Sequence, residues 1–124
     1  MAGQKSANDN AQNQKYEFLD SRITNTYVKE SVAGLNKSSY DSYIKAFRWS
    51  TDRLDPEHGG VIAFISNAGW LDGNAQDGFR KVIQKEFTSI WVFNLRGNQR
   101  TSGELSRKEG GKLFGGGSRT PIAI

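Results

Sequence analysis

A chain of 124 residues with 35% apolar side chains and 14 glycines suits one domain with a modest core and long polar loops. It has no cysteine, which excludes disulfides and thiolate zinc sites, and no apolar run near the ~20 residues of a membrane-spanning helix. The formal net charge is +4 and all of it lies late: residues 1–95 carry 11 basic and 11 acidic side chains, whereas residues 96–124 carry six basic ones against Glu104 and Glu109.

Residues 1–15 hold almost nothing to bury and read as a polar loop or disordered tail. They carry no secretion signal, and the expected location is the cytoplasm. Tyr16, Leu19, Ile23 and Tyr27 recur at helical spacing and predict a helix over 16–30. Tyr40, Tyr43, Ile44, Phe47 and Leu54 predict a second over 39–54, with Ser39 as a candidate N-cap. "DPEHGG" ends it, and His58 within that turn reads as a solvated loop residue rather than a metal ligand. The run "GVIAFIS", residues 60–66, predicts a strand buried on both faces of a sheet covered by helices. A loop follows, then a helix over 74–87 carrying Phe79, Val82, Ile83 and Phe87. "SIWVFNL" predicts a strand over 89–95, and "TPIAI" a strand over 119–124. A strand–helix–strand unit places the chain in the α/β class.

Between the last two strands lies a long loop, residues 96–118, rich in glycine and basic side chains. Loops of this length are usually functional or disordered. Arg96, Arg100, Arg107, Lys108, Lys112 and Arg119 are candidate polyanion contacts; a solvated loop is the commoner reading of such a run. Phe114 sits among glycines and serves either as a flat surface for a nucleic-acid base or as a loop anchor on the core. No phosphate-binding loop leads from a strand into a helix, and no nucleophile triad has a recognisable context. Asp72 and Asp77 suit loop and helix-cap roles better than acid catalysis.

Four stretches, "SYDSYIKAFRWSTDRL", "GGVIAFISNAGWLDGNAQDGFRKVIQKEF", "IWVFNLRGNQRTSGELSRKEGGKLFG" and "SRTPIAI", resemble one family. It is the methyltransferase region of the single-chain type ISP restriction-modification enzymes, often called predicted helicases. The resemblance covers nearly the whole chain and extends to gamma-class adenine-N6 DNA methyltransferases. It implies an α/β fold: the C-terminal half of a Rossmann-like methyltransferase domain over residues 16–124. In that fold the strand at 119–124 runs antiparallel and lies between 60–66 and 89–95. It also implies that the catalytic Asn-Pro-Pro-Tyr tetrapeptide and the S-adenosylmethionine loop belong upstream. The chain then looks like a fragment beginning just after that tetrapeptide, with Asn8, Asp9 and Asn10 close behind it, and ending within the last strand.

On the same resemblance, Phe114 matches the aromatic that stacks on the extruded adenine. Trp70 lies where the sheet faces the substrate cleft, although core packing is its commoner role. The implied partners are DNA and the remainder of the parent enzyme, with no membrane. An open sheet edge is expected to promote self-association. The isolated chain is expected neither to bind S-adenosylmethionine nor to methylate DNA. The alternative is a non-catalytic module whose basic loop binds nucleic acid or protein.

Overall fold

The structure is a computed structural model that describes residues 14–97, 104 and 120–124. Its first helix, α1 (Glu17–Ile23), continues directly into a π-helical turn, Thr24–Val28. The four-residue spacing of Leu19, Ile23 and Tyr27 gives this segment one inward stripe, of which Ile23 and Tyr27 are fully buried. A 3-10 turn, Lys37–Tyr40, precedes α2 (Ser42–Thr51). Ser39 therefore does not cap α2. It is buried in that turn and donates its hydroxyl to the Ala75 carbonyl at 3.1 Å, while Asp41 occupies the cap position. The third helix, α3 (Asp77–Glu86), follows another 3-10 turn and buries Phe79, Val82 and Ile83. The three predicted helices are thus present: the first stays helical through residue 30, as its spacing suggests, while α2 and α3 begin later than predicted, each after a 3-10 turn.

The helices meet in one core of Ile23, Tyr27, Ile44, Trp70, Phe79, Val82 and Ile83. Phe79 meets Tyr27 edge-on at 5.0 Å and Trp70 edge-on at 5.5 Å, the arrangement that ring quadrupoles favour. Phe47 of α2 joins this group and also lies 4.5 Å from Phe64, which ties the helical layer to the sheet. The fully buried Arg48 gives the core a charged interior. Its Nη1 donates to both carboxylate oxygens of Glu86 at 2.9 and 3.0 Å, and its Nη2 lies 2.8 Å from Asp52, which Arg22 also holds at 2.7 Å. Hydrogen bonding from Arg22 keeps the Asp52 carboxyl below the usual range. One network therefore links α1, the end of α2 and the end of α3, and gives two carboxylate partners to a cation that burial alone would penalise.

Asp77 has a structural role at the start of α3. Its carboxylate accepts from the Ser31 hydroxyl, from the Val32 N–H at 2.9 Å and from the Gly78 N–H at 2.7 Å. These bonds, the Ser31 hydroxyl first, pull its pKa down to about 2. Gly78 explains how the two segments approach so closely. A Cβ there would stand 1.9 Å from the Tyr27 carbonyl oxygen and 2.8 Å from the Ser31 nitrogen, so only glycine fits.

Three short strands form the sheet: β1 (Ser66–Asn67), β2 (Asn94–Arg96) and β3 (Ile122–Ala123). Their order is β1-β3-β2, and β3 is antiparallel to both neighbours. The last strand lies in the middle, as the resemblance implies. Because β1 and β2 both oppose β3, they run in the same direction, with α3 crossing between them. The ladders are shorter than the apolar runs: 60–65 and 88–93 lie outside them. "GVIAFIS" is also not buried on both faces. Exposure alternates along it, with Val61, Ala63 and Ile65 outward and Ile62, Phe64 and Ser66 turned in. A run apolar at every position predicts two covered faces, and the described residues cover one.

Candidate nucleic-acid interface

The strand order brings three chain segments to one end of the sheet. Ile122 of β3 is paired with Asn67 on one side and Arg96 on the other. The carboxyl ends of β1 and β2 therefore flank the start of β3, the end of an α/β sheet at which ligands bind as a rule. After β1 the chain turns sharply. The Asn67 side chain accepts from the Gly69 N–H at 2.8 Å, and the Ala68 N–H donates to the Pro121 carbonyl at 2.9 Å, which ties the turn to β3. Arg80 braces the same turn from α3, donating to the carbonyls of Trp70 at 2.6 Å and Gly73 at 2.8 Å. Sequence reasoning missed Asn67 and Arg80. The Asn-x-Gly spacing signals the first; nothing in the sequence marks the second.

Trp70, at the tip of this turn, is buried against Phe47 and Phe79. Its indole Nε1 is buried without a hydrogen-bond partner among the described residues. Arg96 ends β2 with an exposed side chain and a left-handed backbone, φ 63°, followed by Gly97 at φ 86°. Its N–H donates to the Asn94 side chain at 2.8 Å, which helps hold a conformation that non-glycine residues rarely adopt. This double left-handed step turns the chain out of β2 into the basic segment. That segment re-enters the described structure at Thr120, beside β3, so both of its ends lie at the same end of the sheet. Of the candidate contacts, Arg96 and Trp70 are placed; Arg100, Arg107, Lys108, Lys112, Phe114 and Arg119 lie outside the described residues, as does most of the 1–15 tail. His58 is exposed, with its Nδ1 2.8 Å from Asp55, and no cluster of three metal-ligating side chains occurs among the described residues.

The fold and sequence together match a type ISP restriction-modification enzyme, LlaGI, solved as a nuclease-deletion mutant with a DNA substrate mimic. Identity is 49% over 89% of this chain and 10% of that one, at a TM-score of 0.83. This chain corresponds to one segment of the type ISP restriction-modification enzymes. A second type ISP enzyme, the ATP-dependent LlaBIII bound to DNA, matches at 40% identity over 89% of this chain and 7% of its own, TM-score 0.80. The DrdV–DNA complex matches at 41% identity over 99% of this chain and 12% of its own, TM-score 0.85. The chain thus spans about a tenth of the length of the solved enzymes it matches. No protein-family model matches it, and no curated protein does. No helix among its described residues is long and apolar enough to cross a membrane.

Proposed function

We infer that this chain is part of the methyltransferase region of a type ISP-like enzyme and contributes DNA and target-base contacts to adenine-N6 methylation. The observation that carries the reading is the joint match of sequence and fold to enzymes bound to DNA. Charge placement supports it. The whole +4 excess lies in residues 96–124, most of it in a segment that leaves and rejoins the sheet at one end. There the arginines and lysines pair with phosphates, and Phe114 offers a flat apolar face to an extruded adenine.

S-adenosylmethionine would supply the methyl group in the parent enzyme. The described residues do not assign it a place in this chain. The glycines that allow close approach, Gly73 and Gly78, are filled by the chain's own Gln76 side chain and Tyr27 carbonyl rather than opening a cradle. In this reading the catalytic tetrapeptide and the cofactor loop come from elsewhere in the parent, and the present chain positions DNA.

A segment exchange tests the reading. LlaGI carrying this chain in place of its matching segment is expected to bind DNA and form N6-methyladenine. Phe114→Ala in that enzyme should cost ~1–3 kcal/mol of stacking, a roughly ten- to 150-fold loss of methylation efficiency, with an unchanged melting temperature. Phe114→Trp should retain most of the activity. A large fall in melting temperature with normal specific activity of the folded fraction would make Phe114 a core anchor and end the base-stacking role.

A further inference from the structure

Arg80 differs from the other cations that this chain draws out of water. Lys45 is paired with Asp20 at 2.7 Å, and Arg48 with Asp52 and Glu86 at 2.8 and 2.9 Å. On α3 itself, Lys81 reaches Asp77 at 3.5 Å and Lys85 reaches Glu30 at 2.8 Å. Arg80, half-buried on the same helix, has no carboxylate partner among the described residues. Asp72 lies in the turn that Arg80 braces, yet the two form no ion pair. A partly desolvated charge without a counter-ion is costly, and neutral carbonyls offset only part of that cost.

The way the guanidinium is held decides which of its edges remains open. Its bonds to the Trp70 and Gly73 carbonyls both come from Nη1 and use the two protons of that nitrogen. Nε and Nη2 take no partner among the described residues, and the residue keeps part of its surface in solvent. The Nε–Nη2 edge is a planar fork that meets two oxygens of a phosphate side by side. Because the carbonyls already fix the side chain, a ligand at that fork costs little further rotamer entropy. The braced turn follows β1 at the carboxyl end of the sheet and is tied to β3 by the Ala68–Pro121 bond, while Arg96 ends β2 on the other side of β3. We propose that Arg80 is an anion site whose ligand is a backbone phosphate of bound DNA, held through Nε and Nη2. The net +4 carried by residues 96–124 favours a polyanion at this end over an isolated carboxylate. This assignment rests on the reading that DNA lies at that end of the sheet, and it adds a contact from outside the basic segment.

Neutralising phosphates one at a time tests it. Duplexes with a single methylphosphonate linkage are titrated with LlaGI carrying this chain in place of its matching segment, with and without Arg80→Gln. At one linkage the neutral group should weaken binding roughly ten- to 100-fold in the unaltered enzyme, the range for a hydrogen bond to a charged group, and have no effect in the variant. On ordinary DNA, Arg80→Gln should reduce the slope of log K against log salt by ~0.9, the share of one phosphate, which a displaced turn alone would not do. Independent effects at every linkage, or an unchanged slope, would overturn the proposal. The Nε–H resonance of Arg80 in the 124-residue chain supplies a measurement that needs neither variant nor exchange. It should shift when a short duplex is added. A resonance that stays in place while the duplex binds would overturn the proposal in favour of a purely structural brace or a carboxylate of the protein's own. Absence of DNA binding by both proteins would overturn it together with the functional reading. Methylation with an unchanged salt slope would refute the Arg80 site alone, and a phosphate coupled to Arg80 without methylation would refute the methylation reading alone.

Discussion

Replacing Gly78 with alanine pits helix propensity against packing. The substitution favours α3 by at most ~1 kcal/mol, the usual alanine advantage over glycine within a helix. Against this, the new methyl would sit 1.9 Å from the Tyr27 carbonyl oxygen, where ordinary contact begins near 3.4 Å. The obstacle is backbone on both sides, Tyr27 and Ser31, so no flexible side chain can swing away. α3 must retreat from the π-helical turn by more than an ångström. That loosens the edge-on contact of Tyr27 with Phe79 and stretches the Asp77 bonds to Ser31 and Val32. Overpacking costs ~1–3 kcal/mol and each weakened hydrogen bond up to about 1 kcal/mol, so packing wins. The expected net loss is ~2–4 kcal/mol, or roughly 10 °C in melting temperature for a domain of this size. Thermal and urea denaturation measure it, with Gly34→Ala as the control because nothing lies within 4 Å of a Cβ at Gly34. A Gly78→Ala protein as stable as that control would refute the close-approach reasoning.

Two further outcomes follow from local geometry. The folded pKa of Asp77 lies at about 2, below the ordinary 3.8, so its contribution to stability is fully present above pH 4 and is lost as pH falls through 2. Melting curves across that window should show the acid-side decline, and Asp77→Asn should flatten it. At Arg96 the left-handed backbone costs a non-glycine residue ~1–2 kcal/mol, so Arg96→Gly should raise the melting temperature slightly while Arg96→Ile lowers it. Equal stability of the two variants would place no strain at that step.

Much of the architecture was legible because apolar spacing records which face of an element is buried. Leu19, Ile23 and Tyr27 mark α1 and its continuation, and Phe79, Val82 and Ile83 mark α3, both within the predicted spans. The central position of β3 came from the family resemblance and not from local signals. Helix ends were less legible, since Ser39 looks like a cap yet its hydroxyl serves Ala75 across 36 residues of sequence. The network around Arg48 was invisible, because a buried arginine and an exposed one look alike until Asp52, Glu86 and Arg22 converge on one place. Arg96 was expected in the loop but ends β2, and nothing in its type announces a left-handed backbone. For the candidate interface, the sequence offered the basic residues and Phe114 as candidates, and the fold added the brace that Asn67 and Arg80 build at that end of the sheet.

The pairing of Arg96 and Ile122 on adjacent strands has a consequence for how this segment changes between enzymes. The stretch between Gly97 and Thr120 starts and finishes at neighbouring ladder positions, so its closure is set by the sheet and not by its own composition. A stretch of another length or composition meets the sheet at the same two positions, so the side chains offered at that end can change between enzymes without any change in where the chain leaves and rejoins the ladder.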